Sequence, residues 1–121
     1  IGKRILVVED VELNREIAET ILTDAGIQVV TAINGKQAVD YMNQVEDGFI
    51  DLILMDVMMP VMDGYEATRQ IRQNNKKVPI IAMTANAFEE DVKEALASGM
   101  NDHLAKPIRI EILYNVMSKY L

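Results

Sequence analysis

Apolar positions along the chain follow two alternating rhythms. Compact runs at Ile5–Val8, Val29–Thr31, Leu52–Met55, Ile80–Met83 and His103–Ala105 have the form of strands buried on both faces, as in a parallel sheet. Between them the spacing changes to three and four residues. Leu13, Ile17, Ile21 and Leu22 trace one helical stripe, and Ala38, Val39, Met42 and Val45 a second. Thr68 with Ile71, then Phe88, Val92, Ala95 and Leu96, then Leu113, Val116, Met117 and Tyr120, trace three more. Gly26 and Gly99 stand where the first and fourth helices would end in left-handed caps, and Asp47-Gly48 punctuates the exit from the second. Asn34-Gly35 has hairpin-turn composition, but the spacing that follows it is helical.

Strand and helix in fivefold alternation predict a (βα)5 unit. Right-handed crossovers then give an α/β fold, a doubly wound parallel sheet with helices on both faces. The expected order is the flavodoxin-like 2-1-3-4-5, in which the first and third strands flank the point where the order reverses.

With 121 residues, half of them hydrophobic, and no Pro-, Gly- or Ser-rich stretch, residues 1–121 read as one domain with no linker. A net charge of -7 argues against direct nucleic-acid binding, which needs clustered Lys and Arg. The absence of Cys and the single His leave no material for a zinc site or a disulfide framework. The apolar run from Ile5 to Val8 is too short for a signal peptide or a membrane span, so no direct membrane contact is expected. The chain begins without Met, and excision from a longer protein is the expected origin.

Chemistry collects at the carboxyl ends of the strands, where open α/β sheets place their ligand sites. The first strand runs into Glu9-Asp10, the third into Asp56, the fourth into Thr84 and the fifth into Lys106-Pro107. Taken singly, each has a bland explanation: an acidic pair in a solvated loop, a turn former, a strand-end hydroxyl, a surface ammonium. Their joint placement on neighbouring strand ends points to a hard divalent cation together with phosphate. Mg²⁺ takes about six oxygens, needs only one or two carboxylates and keeps several waters. Asp10 and Asp56 can supply those carboxylates, and a carboxylate beside Mg²⁺ and an ammonium can attack phosphorus to form an aspartyl phosphate. Clustered carboxylates repel by roughly 4 kcal/mol per pair at 4 Å and an effective dielectric of 20, so a site with no cation or Lys106 among them is strained.

Over nearly its whole length the chain resembles the receiver, or response-regulator, domain of two-component phosphorelay signalling. The matching segments are Ile5-Leu6-Val7-Val8-Glu9-Asp10, Asp51-Leu52-Ile53-Leu54-Met55-Asp56-Val57-Met58-Met59-Pro60, Met62-Asp63-Gly64, Met83-Thr84-Ala85 and Lys106-Pro107. The resemblance implies that Asp56 is the phosphoacceptor, Asp10 a ligand of one Mg²⁺, Glu9 a ligand acting through water, and the Met58 backbone carbonyl a third protein ligand. It implies that Lys106 and Thr84 each contact a phosphoryl oxygen, and that the Lys106-Pro107 peptide is cis. At the switch position, three residues before Lys106, the family most often carries Tyr or Phe, whereas this chain has His103. The expected role of His103 is a partly exposed ring filling the same space, with a pH-sensitive gate as the alternative. Met58 and Asn86 fall where the family tunes phosphoryl hydrolysis. Met58 cannot orient water by hydrogen bonding, which predicts a long-lived phosphoryl group.

Leu13, Asn14, Ile17, Pro107 and Ile108 resemble the family's docking surface for a histidine kinase or histidine phosphotransfer domain, although Ile17 also suits a core position. Ile1-Gly2-Lys3-Arg4, Glu12-Leu13-Asn14-Arg15 and Met83-Thr84-Ala85-Asn86-Ala87 look most like the receiver of a hybrid sensor histidine kinase, with a free-standing or effector-linked regulator as the alternative; the hybrid resemblance implies the cytoplasmic part of a membrane protein, a monomer when isolated, that passes its phosphoryl group on to a histidine phosphotransfer protein. Two rivals come from other classes. A Mg²⁺-dependent phosphohydrolase would share Asp, Thr and Lys but commonly adds an acid two residues after its nucleophile, where this chain has Met58. A flavodoxin-like cofactor module would need a Gly-rich loop after the first strand, and none is present.

Overall fold

The computed structural model describes residues 2–85, 89–106 and 108–121, with the backbone alone for 89–91. Five strands, β1 (Arg4–Val8), β2 (Gln28–Ala32), β3 (Leu52–Asp56), β4 (Ile80–Thr84) and β5 (Asp102–Ala105), form one parallel sheet in the order β2-β1-β3-β4-β5. Five helices alternate with them: α1 (Glu12–Asp24), α2 (Gly35–Gln44), α3 (Gly64–Asn74), α4 (Glu89–Ser98) and α5 (Ile110–Tyr120). The expected α/β architecture and strand order are those observed.

The central strands β3 and β4 are buried at every position because helices cover both faces of the sheet. Alternate residues separate into two cores. Leu6, Val8, Ile53, Met55, Ile80 and Ala82 pack with Ala38, Val39, Ala67, Ile71 and Ala95 on the side of α2, α3 and α4. Ile5, Val7, Leu52, Leu54, Ile81, Met83 and Leu104 pack with Ala18, Leu22, Leu113 and Met117 on the side of α1 and α5. Burying a Leu or Ile side chain contributes roughly 1.5–3 kcal/mol, so these two layers dominate stability.

Helix boundaries follow local chemistry. Asn34 is the N-cap of α2, its side chain accepting from the Gln37 N–H at 2.9 Å, so Asn34-Gly35 starts a helix. Asp63 caps α3 in the same way through the Glu66 N–H. Gly26 and Gly99, at φ 81° and 109°, take the left-handed conformation expected of them. Several stripe positions depart from expectation, among them Leu13 and Ile17, which are exposed on α1. Val45 lies just beyond α2, where the chain has turned extended, and Leu96 of α4 is 56% exposed, because Ala95 already supplies that helix's contact with the sheet. Phe88 lies outside the described residues.

Candidate functional site

Strand ends converge as their positions in the sheet require. Asp56 is the last residue of β3 and only 3% exposed. Glu9 follows β1, the strand next to β3, and is 1% exposed. Asp10, its neighbour in the chain, is exposed. Glu9, Asp10 and Asp56 each bring one carboxylate oxygen within 4.8 Å of the others. Lys106, just after β5, reaches between two of them, with Nζ at 2.8 Å from Glu9 Oε2 and 3.0 Å from Asp56 Oδ1. The ammonium thus bridges the two buried acids and offsets their mutual repulsion.

Burial is the largest influence on the Asp56 carboxyl. It pushes the Asp56 carboxyl from its ordinary 3.8 up to about 7; the Lys106 hydrogen bond pulls it back, and the negative charge of Glu9 adds to the rise. Burial also works against the Lys106 ammonium, but hydrogen bonds to Glu9 and Asp56 outweigh it and hold the amine above the usual lysine value.

The β1–α1 turn is tied at three points. The Glu9 N–H donates to the Ala32 carbonyl at 3.0 Å, the Val11 N–H to Glu9 Oε1 at 3.2 Å, and Arg15 Nη1 to the Glu9 carbonyl at 3.0 Å. The β3–α3 loop is clamped more tightly. The Met58 N–H donates to Asp56 Oδ1 at 3.3 Å, Gly64 N–H to the Val57 carbonyl at 3.0 Å, and Gly35 N–H to the Met62 carbonyl at 3.2 Å. Gly64 must be glycine, since a Cβ there would collide with the Asp56 carbonyl oxygen. At the outer tip the Met62 N–H donates to the Pro60 carbonyl at 2.8 Å around Val61, whose φ is 70°. That is a γ-turn of the strained kind, centred on a β-branched residue.

The other expected residues fall as follows. Thr84 ends β4, buried, its hydroxyl directed at the Leu104 carbonyl 3.5 Å away. Met58 is 77% exposed and projects no polar group. His103 is half-buried on β5, with Nδ1 3.8 Å from Asp102 Oδ1. Asn14, Ile17 and Ile108 line a cavity of about 150 Å³ together with Glu9 and Lys106. Ile17 is 43% exposed and Leu13 more so, which places both on the surface and not in the core. Asn86 and Pro107, and with Pro107 the expected cis peptide, lie outside the described residues. Sequence reading missed two features of the site. The Arg15 bond carried no motif, and the strained turn at Val61 carried only the weak cue of a residue between Pro60 and Met62.

The carboxylate oxygens form a hard donor set with neither nitrogen nor sulfur, a composition that fits Mg²⁺. Among the described residues, no helix is long and apolar enough to cross a membrane.

Comparison with known proteins gives a consistent result. The family profile described as response regulator receiver domain matches residues 5–118. The sensor histidine kinase RcsC of Escherichia coli is 40% identical over 116 residues, covering 96% of this chain but 12% of that protein. Among solved structures, the receiver domain of the sensor histidine kinase PA1611 from Pseudomonas aeruginosa, with a magnesium ion coordinated in its active-site cleft, is 42% identical. It superposes with a TM-score of 0.89, covering 99% of this chain and 98% of that one. The receiver domain of Ssk1 from Saccharomyces cerevisiae, solved with the histidine phosphotransfer protein Ypd1, is 33% identical with a TM-score of 0.90, covering 98% of this chain and 88% of that one.

Proposed function

The chain belongs to the response regulator receiver domain family, a domain of phosphorelay signalling, and from that premise we propose that Asp56 accepts a phosphoryl group from a phosphohistidine in a Mg²⁺-dependent reaction. One observation carries this reading: Asp56 ends β3 with its carboxylate 3.0 Å from Lys106 and clustered with Glu9 and Asp10. Asp10 and Asp56 would hold the metal directly, Glu9 through water, and the Met58 carbonyl would complete the protein's share. Bound there, Mg²⁺ offsets charge on the oxygens of the transferring group. The magnesium-bearing cleft of the PA1611 receiver supports the same assignment.

In the proposed reaction an Asp56 carboxylate oxygen attacks phosphorus in line and the P–N bond to the donor imidazole breaks. Its electron pair stays on the ring nitrogen. Asp56 must be deprotonated to attack. Lys106, already beside it, transfers one of its contacts to a phosphoryl oxygen and so offsets charge where charge accumulates. Thr84 exchanges its long contact with the Leu104 carbonyl for another phosphoryl oxygen, which couples modification to the end of β4. His103, on the adjoining strand, fills the switch position as a half-exposed ring.

The cavity bounded by Asn14, Ile17 and Ile108 opens beside Lys106 and suits the approach of a histidine-bearing partner, with Leu13 exposed on the same helix as Asn14 and Ile17. The Ssk1–Ypd1 complex supports a histidine phosphotransfer domain as that partner, and the RcsC match supports a histidine kinase as the parent chain. In this reading residues 1–121 are the cytoplasmic receiver of a longer protein and behave as a monomer when isolated. A phosphohydrolase is disfavoured because Met58 offers no acid for turnover.

The test is incubation with Mg²⁺ and acetyl phosphate, followed by mass measurement. The parent gains one phosphoryl group; Asp56→Asn does not, and omitting Mg²⁺ lowers uptake. Equal uptake by parent and variant would overturn the assignment.

A further inference from the structure

We propose that Arg15 is a positioning residue for the metal-binding acids, holding the β1–α1 turn through its hydrogen bond to the Glu9 carbonyl; this rests on the receiver reading above. Arg15 lies on the second turn of α1, half-buried, and its side chain folds back so that Nη1 meets the Glu9 oxygen at 3.0 Å. That carbonyl belongs to the peptide joining Glu9 to Asp10. The guanidinium therefore grips the link between the buried acid and the exposed one.

The turn has little else to hold it. Val11, the N-cap of α1, contributes no side-chain cap, so the orphan amides of the helix start give no rigid anchor. The Val11 N–H instead bonds Glu9 Oε1, while Glu9 Oε2 holds Lys106. Both oxygens of that carboxylate are thus engaged, and the ties they make change whenever a cation or a phosphoryl group claims Glu9 or Lys106. The Arg15 tie runs to the backbone and does not change with them. Beyond it, two backbone bonds unaffected by the chemistry remain: the Glu9 N–H to Ala32, on the strand side of the residue, and the Arg15 N–H to the Val11 carbonyl at 2.9 Å, which closes the first turn of α1 without reaching the Glu9–Asp10 peptide. Without Arg15, the peptide that aims Asp10 loses its anchor on the helix side.

Two roles for this cation predict opposite signs. A guanidinium that acts only as a charge near three carboxyls competes electrostatically with a divalent ion, so its removal tightens Mg²⁺ binding. A guanidinium that fixes ligand geometry favours binding, and outer-shell partners of this kind typically contribute about ten-fold or more in metal affinity.

The test is Mg²⁺ titration of the full chain, followed by calorimetry and by amide NMR shifts around Asp10 and Asp56. The chains compared are the parent, Arg15→Met and Arg15→Lys, with thermal unfolding of each measured metal-free. The expected result is about ten-fold weaker Mg²⁺ binding in Arg15→Met, partial recovery in Arg15→Lys, and metal-free melting close to the parent's in both. Unchanged or tighter binding by Arg15→Met overturns the proposal. Should Arg15→Met fail to fold, Arg15→Lys decides, and parent-like or tighter affinity in it counts against the proposal. A parent that binds no Mg²⁺ instead overturns the receiver reading, which separates the two failures.

Discussion

The Lys106 ammonium lies 3.0 Å from the Asp56 carboxylate, yet Asp56 titrates near 7 instead of 3.8, because burial and the charge of Glu9 outweigh the ion pair. The metal-free site is therefore held at a cost that depends on pH, and the cost resides in the residue proposed to take the phosphoryl group.

Stability of the metal-free chain should rise on acidification. The folded pKa of Asp56 exceeds its unfolded value, so between pH 4 and 7 the folded state binds the extra proton and stability falls as pH rises through this window. Urea unfolding without Mg²⁺ should show a gain of about 2 kcal/mol from this group between pH 7.5 and 5.5. Asp56→Asn should lose that share of the pH dependence, and an unaltered profile in the variant would contradict the assignment.

Removing the ammonium exposes the same conflict from the other side. Lys106→Met leaves Glu9 and Asp56 facing each other without compensation, so it should lower stability by about 1–3 kcal/mol at pH 7.5. At pH 5.5, where Asp56 takes up a proton, the loss should be smaller. Denaturant midpoints at the two pH values test both the size and the order.

Val61 stores backbone strain in the loop that follows Asp56. At φ 70° a β-branched side chain is crowded, whereas glycine is not. Val61→Gly should raise stability by about 1 kcal/mol, the relief of strain exceeding the entropy that glycine adds to the unfolded chain. A lower melting temperature in this variant would show that the surrounding clamps do not hold the turn in this form.

Met58 stands exposed two residues after Asp56, the proposed phosphoacceptor, with no group to orient water. Once Asp56 is phosphorylated, Met58→Asn should hydrolyse several-fold faster than the parent, as followed by loss of the phosphoryl mass after donor removal. A rate equal to or below the parent's would remove Met58 from the control of lifetime.

How much of this was readable in advance depends on what each feature rests upon. The five strands were legible because burial on both faces leaves a run of apolar residues, and the chemistry was legible because Asp56, Thr84 and Lys106 each close such a run. The exposed positions Ile17 and Leu13 were not separable from core by spacing, since Ala18 and Leu22 turn α1 toward the sheet and leave those two outside. Leu96 misled for the same reason.

Local sequence by itself determined which segments are strand and which helix, where Asn34 and Asp63 begin helices, and which residue types gather at one end of the sheet, because these depend on spacing and on side chains reaching their own backbone. Tertiary structure alone decided that Glu9 is buried while Asp10 is exposed, that Lys106 bridges Glu9 and Asp56, and that Asp56 titrates near neutrality. Those outcomes depend on the strand order, which brings the ends of β1, β3 and β5 together, and on the exclusion of water that only a completed fold provides.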